Sequence, residues 1–291
     1  MRKIAFYLLC ALFVCLGIGT LNAETIKGNG KIVTKEFNVS DFDEITMSVP
    51  ATVKFTQSDE YSCTVTIDEN LLQFISVKTY GDDLRFRQLP SKDGKPLMSF
   101  SFGDKDVNIP HYQYATLQFT KFEINISAPR LEDVVVTGSG IFMLANDFAD
   151  KKLNVNINGS GKFVAEKQVK VNELDVEVAG PGSASLINLS VKEAEVTLSG
   201  SGNVVMDGTY KELDVKLNGT GEVKAYGEAP TAKAKIAGSG NVYLENISQN
   251  IKYEIAGSGN IFYSGTAELF GFVAGSGRIQ YKESLRSIRI D

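Results

Sequence analysis

Three acidic residues at one position of successive repeats, Asp175, Glu195 and Asp214, are where this 291-residue chain could hold a metal. Each stands five residues before a Gly-x-Gly triad, and Glu177 lies beside the same column. Carboxylates stacked at a strand spacing of ~4.8 Å could share a Ca²⁺ through oxygen ligands. Without an ion, each neighbouring pair costs on the order of 0.9 kcal/mol in water before salt screening. Lys216, Lys233 and Lys235 stand close enough to neutralise the column without metal. The calcium-binding β-roll also needs Gly-Gly-x-Gly-x-Asp in tandem, and here the residue two past each triad is apolar. No metal and no cofactor is expected, with the three carboxylates as the candidate if one binds.

Aromatic side chains offer a second kind of chemistry. The stretch from 90 to 118 holds the turn-rich loop Pro90–Pro96 and then Phe100, Phe102, Tyr112 and Tyr114, with Phe119 just after it. Exposed rings such as Tyr112 and Tyr114 could stack on sugar faces; buried ones would make this a covering hairpin packed on the core. The sole histidine, His111, supports neither an acyl-transfer triad nor a metal site by itself. No Gly-x-Ser-x-Gly elbow, His-Glu-x-x-His or Cys-x-x-Cys occurs. The 35 acidic residues leave paired-carboxylate chemistry open, but no spacing points to it.

The elements that would position these residues are set by a repeat. Triads begin at Gly138, Gly159, Gly180, Gly200, Gly219, Gly238, Gly257 and Gly275, in steps of 18 to 21 residues. That period marks a solenoid. Two before each triad lie Val136, Ile157, Val178, Leu198, Leu217, Ile236, Ile255 and Val273; the residue two past it is again apolar. Period-2 alternation rich in β-branched residues predicts a half-buried strand on each side of every triad. Coils this short leave no room for a crossover helix, so strands should pair in parallel. The expected fold is all-β, a parallel β-helix of about eight Gly-x-Gly coils. The triads are not phosphate loops, because a strand rather than a helix follows each one. Their middle residues, mostly Ser, should face outward as small turn residues.

Residues 131–291 read as the regular solenoid and 24–130 as an irregular β region that continues into it or caps it. Within the latter, Asp43–Phe55 resembles one repeat with Val49-Pro50-Ala51 in place of Gly-Ser-Gly. Residues 1–23 read as a secretory leader: Arg2 and Lys3, an apolar run from Ile4 to Ile18, then Leu21-Asn22-Ala23. Cys15 follows Phe13-Val14, a poor match to a lipidation signal. Cleavage removes Cys10 and Cys15, leaving Cys63 with no disulfide partner. No second apolar segment is long enough to span a membrane. The net charge of −5 grows more negative once Arg2 and Lys3 are lost, which argues against nucleic acid or an anionic membrane surface.

The leader, Gly28-Asn29-Gly30-Lys31, Asp41-Phe42-Asp43-Glu44-Ile45 and the repeated Gly-Ser-Gly-Asn-Val motif together resemble one exported bacterial family, the putative auto-transporter adhesin, head GIN domain. The resemblance covers most of residues 28–281 and implies a parallel β-helix at or outside the envelope of a Gram-negative cell. It implies no catalytic residues, and stretch 90–118 looks longer than the family pattern. The expected function is a non-catalytic binding or adhesion module for a glycan or an envelope or host surface protein. The alternatives are a polysaccharide-acting lyase or hydrolase working in a lateral groove, and an envelope scaffold. Oligomeric state is left open by the sequence.

Overall fold

The computed structural model describes residues 25–90, 92–93, 98–102, 105–109, 112–113 and 115–285, with side-chain detail outside 91–114. The chain is a parallel β-solenoid. Beyond residue 131, each coil has a strand before the triad, a shorter strand after it, and a third short segment leading to the next coil. Strand Glu193–Gly200, for example, pairs residue for residue with Glu212–Gly219, and Asn203–Met206 with Glu222–Ala225. The ladder carries one triad glycine onto the next, Gly200 onto Gly219, then Gly238, Gly257 and Gly275.

Parity decides what fills the coil. Val136, Ile157, Val178, Leu198, Leu217, Ile236 and Ile255 are all buried, as the alternation predicts. Larger rings fill the core toward the N-terminal end, where Phe142 and Phe163 stack at 5.7 Å and Phe55 lies 6.4 Å from Phe142. The interior is one continuous stack of apolar layers from Phe42 to Ile261.

The two glycines of a triad do different jobs. The second, such as Gly202 or Gly221, is buried, and a Cβ there would strike the carbonyl oxygen of its counterpart one coil below. The first sits at the bend with positive φ, 132° at Gly219, a conformation side chains rarely adopt. The middle residue is exposed, and in most triads its N–H donates to the carbonyl of the first glycine below, as Thr220 does to Gly200 at 2.9 Å; Pro181 has no N–H to give. These residues act as turn formers.

Stacking order at the N-terminal end departs from chain order. Strand Glu44–Ser48 pairs in parallel with Asp133–Val136 on one side and with Asp83–Arg87 on the other. Thr52–Phe55 pairs with Ile141–Leu144 and, on its other edge, with Glu123–Ile126. Residues 44–57 therefore form a coil, with Val49-Pro50-Ala51 at the triad's corner. It is inserted between a coil made of 83–88 and 122–128 and the one that starts at 131. The stretch 90–118 leaves from the triad corner of the outer coil. It contains the antiparallel pairs Met98–Phe102 with Lys105–Ile109 and Lys92–Asp93 with Tyr112–Gln113.

Antiparallel strands close this end. Ser62–Ile67 runs against Phe122–Ser127, Ile75–Tyr80 against Asp83–Gln88, and Ile32–Glu36 against Glu36's partner strand 64–68 as the outermost layer. The buried carboxylate of Asp68 fastens the cap: it accepts the N–H of Gly30 at 2.9 Å and of Thr120 at 2.8 Å. A Cβ on Gly28 would collide with that carboxylate, so the Gly-Asn-Gly motif is shaped around Asp68. Burial alone would raise the Asp68 pKa, but the Thr120, Gly30 and Lys121 donors outweigh it and hold it below the ordinary value.

Candidate functional site

The strand before each triad begins at a corner where two consecutive residues face outward. In the coils from 173 to 214, residues seven and five before the triad are both outward while the one between them points in. Glu173, Glu193 and Glu212 form one outward column, and Asp175, Glu195 and Asp214 form the other. Leu174, Ala194 and Leu213 lie between them with their side chains buried. The result is a groove of about 660 Å³ running across the coils. Lys152 stands at its cap-side end, and Lys233, Lys252 and Phe270 at the other.

The three carboxylates named from the sequence are brought into one register column, Asp175 beside Glu195 beside Asp214. Lysines meet them. Lys216 Nζ contacts Glu195 Oε1, and Lys233 Nζ lies 3.6 Å from Asp214 Oδ2. Asp175 has its pKa raised, first by burial and then by Glu195 and Glu177, with Lys152 and Lys216 opposing. Lys216 is raised in turn, chiefly by its hydrogen bond to Glu195. Among the described residues, no group of three or more His, Cys, Asp or Glu side chains is placed to hold a metal ion. The geometry is that of an acidic strip partly neutralised by lysines.

The column is longer than those three residues. Asp83, Glu44, Asp133 and Asn154 occupy the same register position toward the cap. Asn154 Nδ2 donates to Asp133 Oδ1 at 2.7 Å, so one amide breaks the run of charge. Glu44 has a raised pKa, from burial first and then from Asp133, Asp82, Asp83 and Asp43. Glu44 and Asp133 also stand five before a corner, a spacing visible in the sequence, but only the strand pairing shows that they are neighbours.

On the other side of the corner lies a cleft of about 610 Å³ bearing Lys151, Lys170, Lys192 and Lys211. Spacing did not reveal it, because these lysines come from the short third segments that carry no motif. Of the two tyrosines considered as ligand contacts, Tyr112 lies in the short strand Tyr112–Gln113, whose side chains are outside the described detail. Tyr114 and His111 lie outside the described residues altogether. Among the described residues, no helix is long and apolar enough to cross a membrane.

Comparison with solved structures gives the same fold. The crystal structure of a "putative lipid binding protein" from Parabacteroides distasonis ATCC 8503 is similar with a TM-score of 0.73 at 26% identity, covering 89% of this chain and 100% of that one. A "putative adhesin" from Parabacteroides merdae ATCC 43184 is similar with a TM-score of 0.73 at 24% identity, covering 90% of this chain and 100% of that one. A further "putative adhesin" from P. distasonis ATCC 8503 has a TM-score of 0.71 at 22% identity, over 89% of this chain and 100% of that one. No curated protein is a significant match. A family model matches residues 41–267, from the inserted first coil to the last but one, and the chain belongs to that family, described as "Putative auto-transporter adhesin, head GIN domain".

Proposed function

We propose that the protein is a non-catalytic binding module, exported to the cell envelope or surface, that holds an extended glycan or protein segment along one face of its solenoid. The observation that carries this reading is the groove between the two acidic columns. It crosses several coils, has an apolar floor, and ends at lysines and Phe270. Carboxylates can accept hydrogen bonds from sugar hydroxyls or backbone amides, while an open and elongated shape suits a polymer better than a small substrate. The adhesin description of the family agrees with that role.

The test is binding of the purified, leader-free protein to a glycan array, repeated with Glu193→Gln and Glu212→Gln together. A specific hit that the double substitution weakens supports a glycan held in the groove. A blank array followed by capture of a single envelope protein, again weakened by the substitution, supports a protein ligand. Release of oligosaccharides from a polysaccharide substrate overturns the reading in favour of an enzyme.

A further inference from the structure

The two ends of the solenoid are unlike. The N-terminal end is closed by antiparallel strands, and its outermost strand Ile32–Glu36 is flanked by Lys31 and carries Lys35 and Glu36, the charged edge that resists further pairing. Among the described residues the C-terminal end is open. Strand Glu268–Gly275 pairs with Asn250–Gly257 through one edge, and no strand covers its other edge among the described residues. All eight of its residues are exposed. Leu269 and Val273 continue the core positions of Ile251 and Ile255, yet are 37% and 38% exposed. On the outer face Phe270 and Phe272 are 52% and 59% exposed. Of the described residues after Tyr281, Leu285 is buried against Tyr226 and Tyr243, farther back along the rod.

The pattern of this edge is symmetric about Gly271: Phe270 and Phe272 flank it, and the aliphatic Leu269 and Val273 stand one place farther out. Antiparallel pairing with a second copy, centred on Gly271, sets Leu269 opposite Val273 and Phe270 opposite Phe272. Inner residues then meet inner residues and outer meet outer, as pleated pairing requires. Glu268 falls opposite Ala274, so no like charges face each other. The fold already uses this join at its other end, where antiparallel strands close the parallel coils. A coil of about 60 Å of extended chain with a side-chain shell of ~5 Å presents an end of roughly 650 Å², close to the ~800 Å² per partner of a standard interface.

We propose that the open end is a dimerisation surface, where two copies join through strand Glu268–Gly275 in an isologous antiparallel pair that makes their cores continuous. The two-fold axis closes the assembly at two copies, and the charged cap at the far end of each rod stops it growing into a filament.

Light scattering on the purified protein across a concentration series tests this. Phe270→Lys with Phe272→Lys in one copy, and Phe270→Glu with Phe272→Glu in another, change outward side chains without entering the core. The parent should double its mass as concentration rises. Each doubly substituted protein should stay monomeric, because like charges now face each other across the axis, and should melt where the parent melts at a concentration too low for it to dimerise. An equimolar mixture of the two should recover the doubled mass. A parent that remains monomeric up to its solubility limit overturns the proposal. So does a dimer indifferent to both substitutions, or a dimer that appears only when residues 286–291 are removed, since the chain's own end would then be the occupant.

Discussion

Alanine at the first glycine of a triad tests whether coil stacking, and not only backbone conformation, demands glycine there. Gly219 and Gly138 occupy the same place in their repeats, with φ of 132° and 100°. At Gly138 nothing lies within 4 Å of where a Cβ would stand, so Gly138→Ala carries only the backbone strain, about 1–2 kcal/mol. At Gly219 the new methyl would be driven onto the carbonyl oxygen of Gly200. That oxygen accepts N–H donors from Thr220 at 2.9 Å and Gly221 at 3.2 Å, so displacing it loosens two bonds. Crowding adds about 1–3 kcal/mol and the two bonds ~1 kcal/mol each at most, which with the backbone strain spans roughly 2–7 kcal/mol and centres on about 4–5 kcal/mol. At about 2–4 °C per kcal/mol, the far-UV circular dichroism melt should drop by roughly 5 °C for Gly138→Ala and by more than 10 °C for Gly219→Ala. Equal shifts for the two would refute the stacking argument and leave conformation as the whole reason for the glycine.

Other consequences are as direct. Asp68→Asn should lower the melting temperature at neutral pH, because an amide cannot replace a carboxylate that accepts from Gly30 and Thr120. The folded-state pKa of Asp68 lies below its ordinary value, so its stabilisation is complete above the ordinary carboxylate range and fades as pH falls through the folded value. The substitution should therefore flatten the acid limb of the stability curve, and an unchanged limb would contradict the role given to Asp68. Asp175 is displaced the other way, by burial and by Glu195 and Glu177, so its ionisation costs stability as pH rises past the ordinary range. Asp175→Asn should raise the melt slightly at neutral pH and have no effect in acid. Added calcium should leave the melt unchanged; a rise that Asp175→Asn abolishes would restore the metal reading. Burial pushes the Cys63 thiol up to about 12, so it should resist Ellman's reagent at neutral pH and react only as the cap opens. Rapid labelling of native protein would mean that the cap strands are open.

Much of the fold could be read from residue types because parity and period are properties of the chain itself. Val155, Ile157 and Phe163 had to face one way once the triads marked the bends, and all three are buried. Gly140 and Gly161 were legible for the same reason, though parity did not show that the first glycine of each triad is a bend residue and the second a packing residue. Spacing also placed Asp175, Glu195 and Asp214 in one column. It could not show that the same strip runs on to Glu44, because that requires knowing which segments are neighbours, and alternation names a residue's face but not its partner strand. Concavity was hidden too: the groove exists because Ala194 and Leu213 turn inward between two outward residues at a corner. Asp68 gave no motif, being one acid among many until Gly28, Gly30 and Thr120 close around it.

The insertion of residues 44–57 between segments that come later in the chain sets an order of assembly. Glu44 needs both Asp83 and Asp133 beside it, partners about forty and ninety residues further on. A chain growing from its N-terminus holds this coil without its first neighbour until residue 128 has been made and without its second until residue 144. Coils beyond that point need only the turn before them, a contact some twenty residues back. The rod therefore has one slow step and many fast ones: a nucleus gathered from distant segments at the capped end, and then a zipper that runs toward the open one.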